Sequence, residues 1–100
     1  MKATLETERC EQLETVIDFT GVLDHLLPSF YDTSYQCLRF IDPYGHTVFN
    51  RLQMEVFLAE WERITDLAQT PDEMEILSRI EKLARRCQKE PHFYLKFYGD

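Results

Sequence analysis

Two helix-start signals stand twenty residues apart, Asn50-Arg51-Leu52-Gln53 and Thr70-Pro71-Asp72-Glu73, and they constrain the fold more than any other feature of the 100-residue chain. In each, a side chain that accepts from free backbone N–H groups is followed three residues later by Gln or Glu, which reaches back: the capping box. Phe49 precedes the first box with Met54 placed to close a hydrophobic staple. Pro71 occupies the first helical position of the second, where its missing N–H costs nothing. From the first box Met54, Phe57, Leu58, Trp61, Ile64 and Ala68 recur as one apolar stripe, leaving Glu55, Glu60, Glu62, Arg63 and Asp66 for water. From the second the stripe is Met74, Leu77, Ile80, Leu83, Ala84 and Cys87. Arg85, Arg86 and Lys89 gather where the last carbonyls are exposed, and Glu90-Pro91 ends the helix. With so few residues between them, the two helices are expected to fold back as an antiparallel pair.

Strand patterns flank the helices. His92 to Tyr98 alternates, with Phe93, Leu95 and Phe97 on one side and Tyr94, Lys96 and Tyr98 on the other. Upstream, Asp42-Pro43-Tyr44-Gly45 matches a type I turn: Asp accepts backbone N–H groups, Pro pre-sets φ and Gly closes the fourth place. β-Compatible runs on both sides, Tyr35 to Ile41 and His46 to Phe49, predict a hairpin. In its first strand Leu38 and Phe40 share a side opposite Tyr35, Cys37, Arg39 and Ile41. Two helices return the chain to the end where it left, so the last strand is expected beside 35–41 and parallel to it, opposite in direction to the short strand.

We therefore expect a single α+β domain over residues 1–100, two-layered, with a small mixed β-sheet packed on an antiparallel helical hairpin. Residues 35–100 would form a β-β-α-α-β core. For residues 1–34 a helix is favoured, because Leu13, Val16, Ile17, Thr20, Leu23 and Leu27 fit a helical stripe. Thr15, Ile17 and Phe19 also fit alternation, Gly21 interrupts a long helix, Pro28 ends it, and 29–34 reads as loop. There is no internal repeat and no second domain.

Composition decides what such a domain can do. At 44% hydrophobic and 13% aromatic residues, a core is affordable for a chain of this length. A net charge of −7 repels polyanions, so a nucleic-acid partner is not expected. Residues 1–50 hold three basic and eight acidic side chains, so most of the acidic surplus is N-terminal. Cys10, Cys37 and Cys87 are odd in number and far apart, which signals neither a disulfide framework nor zinc and favours reduced thiols in a cytoplasm. No stretch has the apolar length of a membrane span, and the first residues lack a signal-peptide core.

Candidate sites are few. Asp42, Tyr44, His46 and Asp100 form a polar cluster at the hairpin tip that could share a proton or hold a ligand, although turn chemistry alone selects Asp42 and Gly45. His25, His46 and His92 lack metal-ligand spacing, and pairing Cys37 with His46 or His92 as a nucleophile has no local signature. Gly21, Gly45 and Gly99 are too dispersed for a phosphate loop. No cofactor and no catalytic residue are assigned. The sheet side away from the helices would gather Tyr35, Arg39, Ile41, Tyr94, Lys96 and Tyr98, the aromatic and cationic composition that protein interfaces enrich.

The stretch Arg39 to Gln53, with its Asp-Pro-Tyr-Gly-His-Thr-Val-Phe-Asn core, and the closing Tyr94-Leu95-Lys96-Phe97-Tyr98-Gly99-Asp100 resemble a group of small uncharacterised bacterial proteins. The likeness covers about residues 35–100. In that group an acidic residue often stands at the position of His46, which counts against a catalytic His46. The resemblance brings no activity; it implies a bacterial cytoplasmic origin and a turn that forms one unit with Gly99-Asp100. The leading expectation is a non-enzymatic interaction module that self-associates as a homodimer. The alternatives are an acidic immunity or antitoxin-like protein that neutralises a basic partner, and a small-molecule binder at the hairpin tip.

Overall fold

Alternation, capping and turn chemistry build four strands and three helices in the computed structural model, which describes all 100 residues. Strands β1 (Lys2–Thr7) and β2 (Gln12–Ile17) form an N-terminal hairpin, followed by a short helix α1 (Val22–Leu26). A 3₁₀ turn spans Leu38–Phe40. Strand β3 (His46–Asn50) then leads into helix α2 (Met54–Thr65), helix α3 (Pro71–Lys89) and strand β4 (Phe93–Tyr98). The sheet order is β2-β1-β4-β3 and every pairing is antiparallel. The architecture is α+β with helices packed on a sheet, but the sheet is not mixed.

Both capping boxes form. Asn50 Oδ1 accepts from the N–H groups of Leu52 and Gln53 while Gln53 Oε1 accepts from Asn50 N–H at 2.9 Å; Thr70 and Glu73 exchange bonds in the same way. The indole of Trp61 donates to the carbonyl of Leu77 at 2.9 Å, tying α2 to α3. Below it Phe57 stacks on Trp61 with centroids 5.2 Å apart, and Phe97 of β4 approaches both rings. Leu5, Leu95, Leu77, Ile80 and Leu83 complete the fully buried centre. Contacts of this kind, each worth roughly 1.5–3 kcal/mol of burial, make the helix-side face of the sheet the core.

Two expectations about the first half are corrected. Residues 12–17 are an edge strand, not part of a helix. Val16 faces the core while Ile17 lies 43% exposed on the other face, and Leu13 is an extra residue where the register slips from Leu5↔Glu14 to Glu6↔Gln12. Apolar residues on both faces plus a bulge reproduce helical spacing by coincidence. Only 22–26 are helical, started by Asp18, whose carboxylate accepts from the N–H groups of Thr20, Gly21, Val22 and Leu23 at 2.8–3.3 Å. Gly21, at φ 79°, supplies the left-handed conformation that this start requires.

Residues 35–41 are not a strand. The place beside β4 is taken by β1 on one side and β3 on the other. The N–H groups of Gln36, Cys37 and Leu38, which a strand would give to a neighbour, go instead to the carboxylate of Glu60 on α2, at 2.5–3.0 Å. Glu60, expected in water, is 5% exposed for that reason. The Asp42 turn does form, with Tyr44 N–H donating to Asp42 Oδ1 at 2.8 Å. It docks on the end of β4 rather than closing a hairpin: Gly99 N–H donates to Gly45 O at 2.7 Å and Asp100 N–H to Pro43 O at 2.9 Å. A Cβ on Gly99 would stand 2.5 Å from Pro43, so only glycine allows this approach.

Candidate functional site

On a pleated sheet, residues paired across strands share a face, so the register names the residues that look away from the helices. In rows across β2, β1, β4 and β3 these are Ile17, Lys2, Tyr98 and His46; then Thr15, Thr4, Lys96 and Val48; then Gln12, Glu6, Tyr94 and Asn50. All the helices of the two-layer fold that pack on the sheet do so through Ala3, Leu5, Phe49, Leu95 and Phe97, on the opposite face.

The centre of this face is a carboxylate withdrawn from water. Glu6 is 1% exposed. It accepts from Thr4 Oγ1 at 2.6 Å and from the Tyr98 hydroxyl, and pairs with Lys96 Nζ at 3.0 Å. Burial pushes the Glu6 carboxyl up, but the bonds from Thr4, Tyr98 and Lys96 together outweigh it and hold the group below its ordinary value. The same bonds to Glu6 push the Tyr98 hydroxyl and the Lys96 ammonium up. Lys96 also donates to Cys10 Sγ at 3.4 Å, while Lys2 lies 5.1 Å from the centre of the Tyr98 ring and His46 meets that ring edge-on at 4.6 Å. Around this knot Ile17 and Val48 are 43% and 51% exposed.

Tyr94, Lys96 and Tyr98 therefore share a face as expected, and Tyr35, Arg39 and Ile41 do not join them. Tyr35 is buried under the guanidinium of Arg63, 3.9 Å from its ring, and Ile41 is buried in the core. Arg39 lies over the rings of Phe30 and Phe40. The physical reason is the one above: once Glu60 takes their backbone N–H groups, residues 35–41 have no strand partner. The face is completed by Lys2, Thr4 and Glu6 of β1, Gln12, Thr15 and Ile17 of β2, and His46, Val48 and Asn50 of β3, and the alternation of Thr15 and Ile17 was the signal for part of it.

At the turn, Asp42 is committed to Tyr44 N–H, the Tyr44 side chain is exposed, His46 leans on Tyr98, and Asp100 Oδ1 accepts from the N-terminal amino group at 3.0 Å. Backbone bonds from Gly99 and Asp100 bring the C-terminus to the turn, but no hydrogen bond or ion pair links the four side chains. No three His, Cys, Asp or Glu side chains converge as metal ligands do. Cys37 and Cys87 are buried; burial, aided at Cys37 by nearby Glu60, pushes both thiols up, to about 11 at Cys87, which disfavours the thiolate a nucleophile needs. Of the eight acids in residues 1–50, Glu6, Asp18, Asp32 and Asp42 hold hydrogen bonds within the fold, and Glu8 and Glu14 pair with His92 and Arg86. That leaves Glu11 and Asp24 outside such bonds, while Glu8, Glu14, Asp32 and Asp42 remain exposed.

No protein-family model matches the chain, and neither a curated protein nor a solved structure matches it significantly. No helix is long and apolar enough to cross a membrane.

Proposed function

We propose that the protein is a non-enzymatic interaction module that forms a homodimer through the helix-free face of its sheet. The observation that carries this is the pairing of uncovered apolar side chains, Ile17 and Val48, with Tyr94 and Tyr98 on a face whose charges nearly cancel. Lys2 and Lys96 stand there against Glu6, whereas the chain as a whole carries −7. Two copies meeting by this face join surfaces that are nearly neutral and leave most of the chain's net negative charge outside the contact, so like-charge repulsion across it is small. The three free thiols support a reducing, cytoplasmic setting.

Area sets the strength. Four strands about 4.8 Å apart, each contributing about 16 Å of length, give a plan area of roughly 300 Å². Two copies then bury less than the roughly 1,200 Å² typical of stable complexes, so the dimer is reversible, with Kd in the micromolar range. Light scattering after size exclusion, run from about 10 μM to 1 mM, is expected to show a mass rising from one protomer toward two. The double variant Ile17→Glu with Val48→Glu stays at one. A single-protomer mass at the highest concentration, or unchanged association of the double variant, contradicts the proposal.

A further inference from the structure

Residues 27–45 connect α1 to β3 with one 3₁₀ turn as their only regular structure. Connections of that length are uncommon inside small domains and are usually functional when ordered. This one is tied down from the α2 side: Glu60 accepts three of its N–H groups, and Arg63 donates to Ser34 O at 2.9 Å and to Ser34 Oγ at 3.1 Å. Held this way, it presents rings to water. Phe30, Tyr31 and Phe40 are 53%, 85% and 51% exposed, yet they pack edge to face, with Phe30 5.4 Å from Tyr31 and 5.8 Å from Phe40.

Arg39 completes the patch. Its guanidinium lies 4.7 Å from the Phe30 ring centre and 4.9 Å from that of Phe40, and its Nε donates to Phe30 O at 2.7 Å. Its two η-nitrogens make no hydrogen bond, and it belongs to none of the ion pairs of the fold. Aromatic rings around an unpaired arginine are the composition of interface hot spots, and a guanidinium fixed at Nε offers its outer edge to a carboxylate in two-pronged geometry. The stem of the same loop walls a groove of about 300 Å³ lined by Leu23, Leu27, Pro28, Ile41 and Pro43 together with Met1, Ser29 and the single acid Asp24. Phe30 directly follows the lining residue Ser29 and Phe40 directly precedes Ile41, so the patch begins in the chain where the groove lining ends.

We propose that this loop docks an acidic peptide segment of a partner protein, its carboxylate on Arg39 and its flanking apolar side chains on Phe30, Phe40 and the groove. The patch is open rather than enclosed, which suits an extended segment better than a small ligand. It is separate from the sheet face, so it stands or falls independently of dimerisation.

The test is a titration of the ¹⁵N-labelled full chain with a blocked hexapeptide containing Leu-Phe-Glu-Leu, followed by amide shifts. Saturable shifts confined to residues 23–43 are expected, with binding at least tenfold weaker, about 1.4 kcal/mol, for the Gln counterpart of the peptide. Arg39→Gln and, separately, Phe30→Ser are expected to lose the shifts while circular dichroism stays that of the native fold. No saturable shift, equal binding of the Glu and Gln peptides, or shifts centred on β4 overturns the proposal. Stronger shifts of the same amides with an oligouridine than with the peptide also overturn it.

Discussion

Glu6 and Glu60 are both carboxylates held out of water, and each organises more backbone or side-chain polarity than its own charge would suggest. Glu6 joins Thr4, Lys96 and Tyr98. Replacing it by Gln leaves Lys96 without its acid in a site where the ammonium is only partly hydrated, and is expected to cost about 2–3 kcal/mol in a urea titration. Because the folded Glu6 carboxyl titrates below its ordinary 4.5, its contribution is complete above about that pH and is withdrawn as pH falls further. Lys96 and Tyr98 are shifted the other way, so their contribution is complete below their ordinary values of 10.5 and 10.0 and is lost at higher pH. A urea midpoint followed against pH should thus fall at both ends in the native protein, with both falls smaller in Glu6→Gln. Periodicity placed Glu60 on the polar side of its helix, which is correct for an isolated helix; what buries it is a loop twenty-odd residues earlier whose N–H groups it satisfies. Pattern along one element does not carry that information.

The elements whose boundaries rest on local chemistry were legible in the chain: the two capping boxes, the Asp42 turn and the alternation of 93–98 all appear where their residues put them. Those that depend on a distant partner were not. Residues 35–41 have strand composition, but strand formation needs a neighbour, and both flanks of β4 are taken by β1 and β3. Helix α1 shows the reverse, a five-residue helix too short to persist alone. It is held by Asp18, four of whose backbone partners lie in the next five residues. Asp18→Ala is expected to destabilise the protein by about 1–2 kcal/mol, and hydrogen exchange should quicken first at Val22 and Leu23.

For the whole molecule the corrected topology changes what counts as the minimal fold. Residues 35–100 were expected to hold the β-β-α-α-β core, yet the sheet's second central strand is β1, bonded to β4 along its full length from Lys2↔Tyr98 to Thr7↔Phe93. A fragment of residues 35–100 would leave β4 as an unpaired edge beneath the aromatic core, and is expected to be unfolded by circular dichroism and to lack cooperative melting. Of the candidate face, the half on β4 was readable from alternation, and the half on β1 was not, since Lys2 to Thr7 alone carry too weak a pattern to announce a central strand.

The extra residue at Leu13 has a consequence for how copies of this chain avoid one another. β2 is an outer strand with an open row of backbone donors and acceptors, the kind of border along which chains zip into fibres. The irregularity opposite Leu5 and Glu6 breaks that row after a few residues, so a second strand cannot lie along it in even step. Stacking without limit is thereby discouraged at the rim.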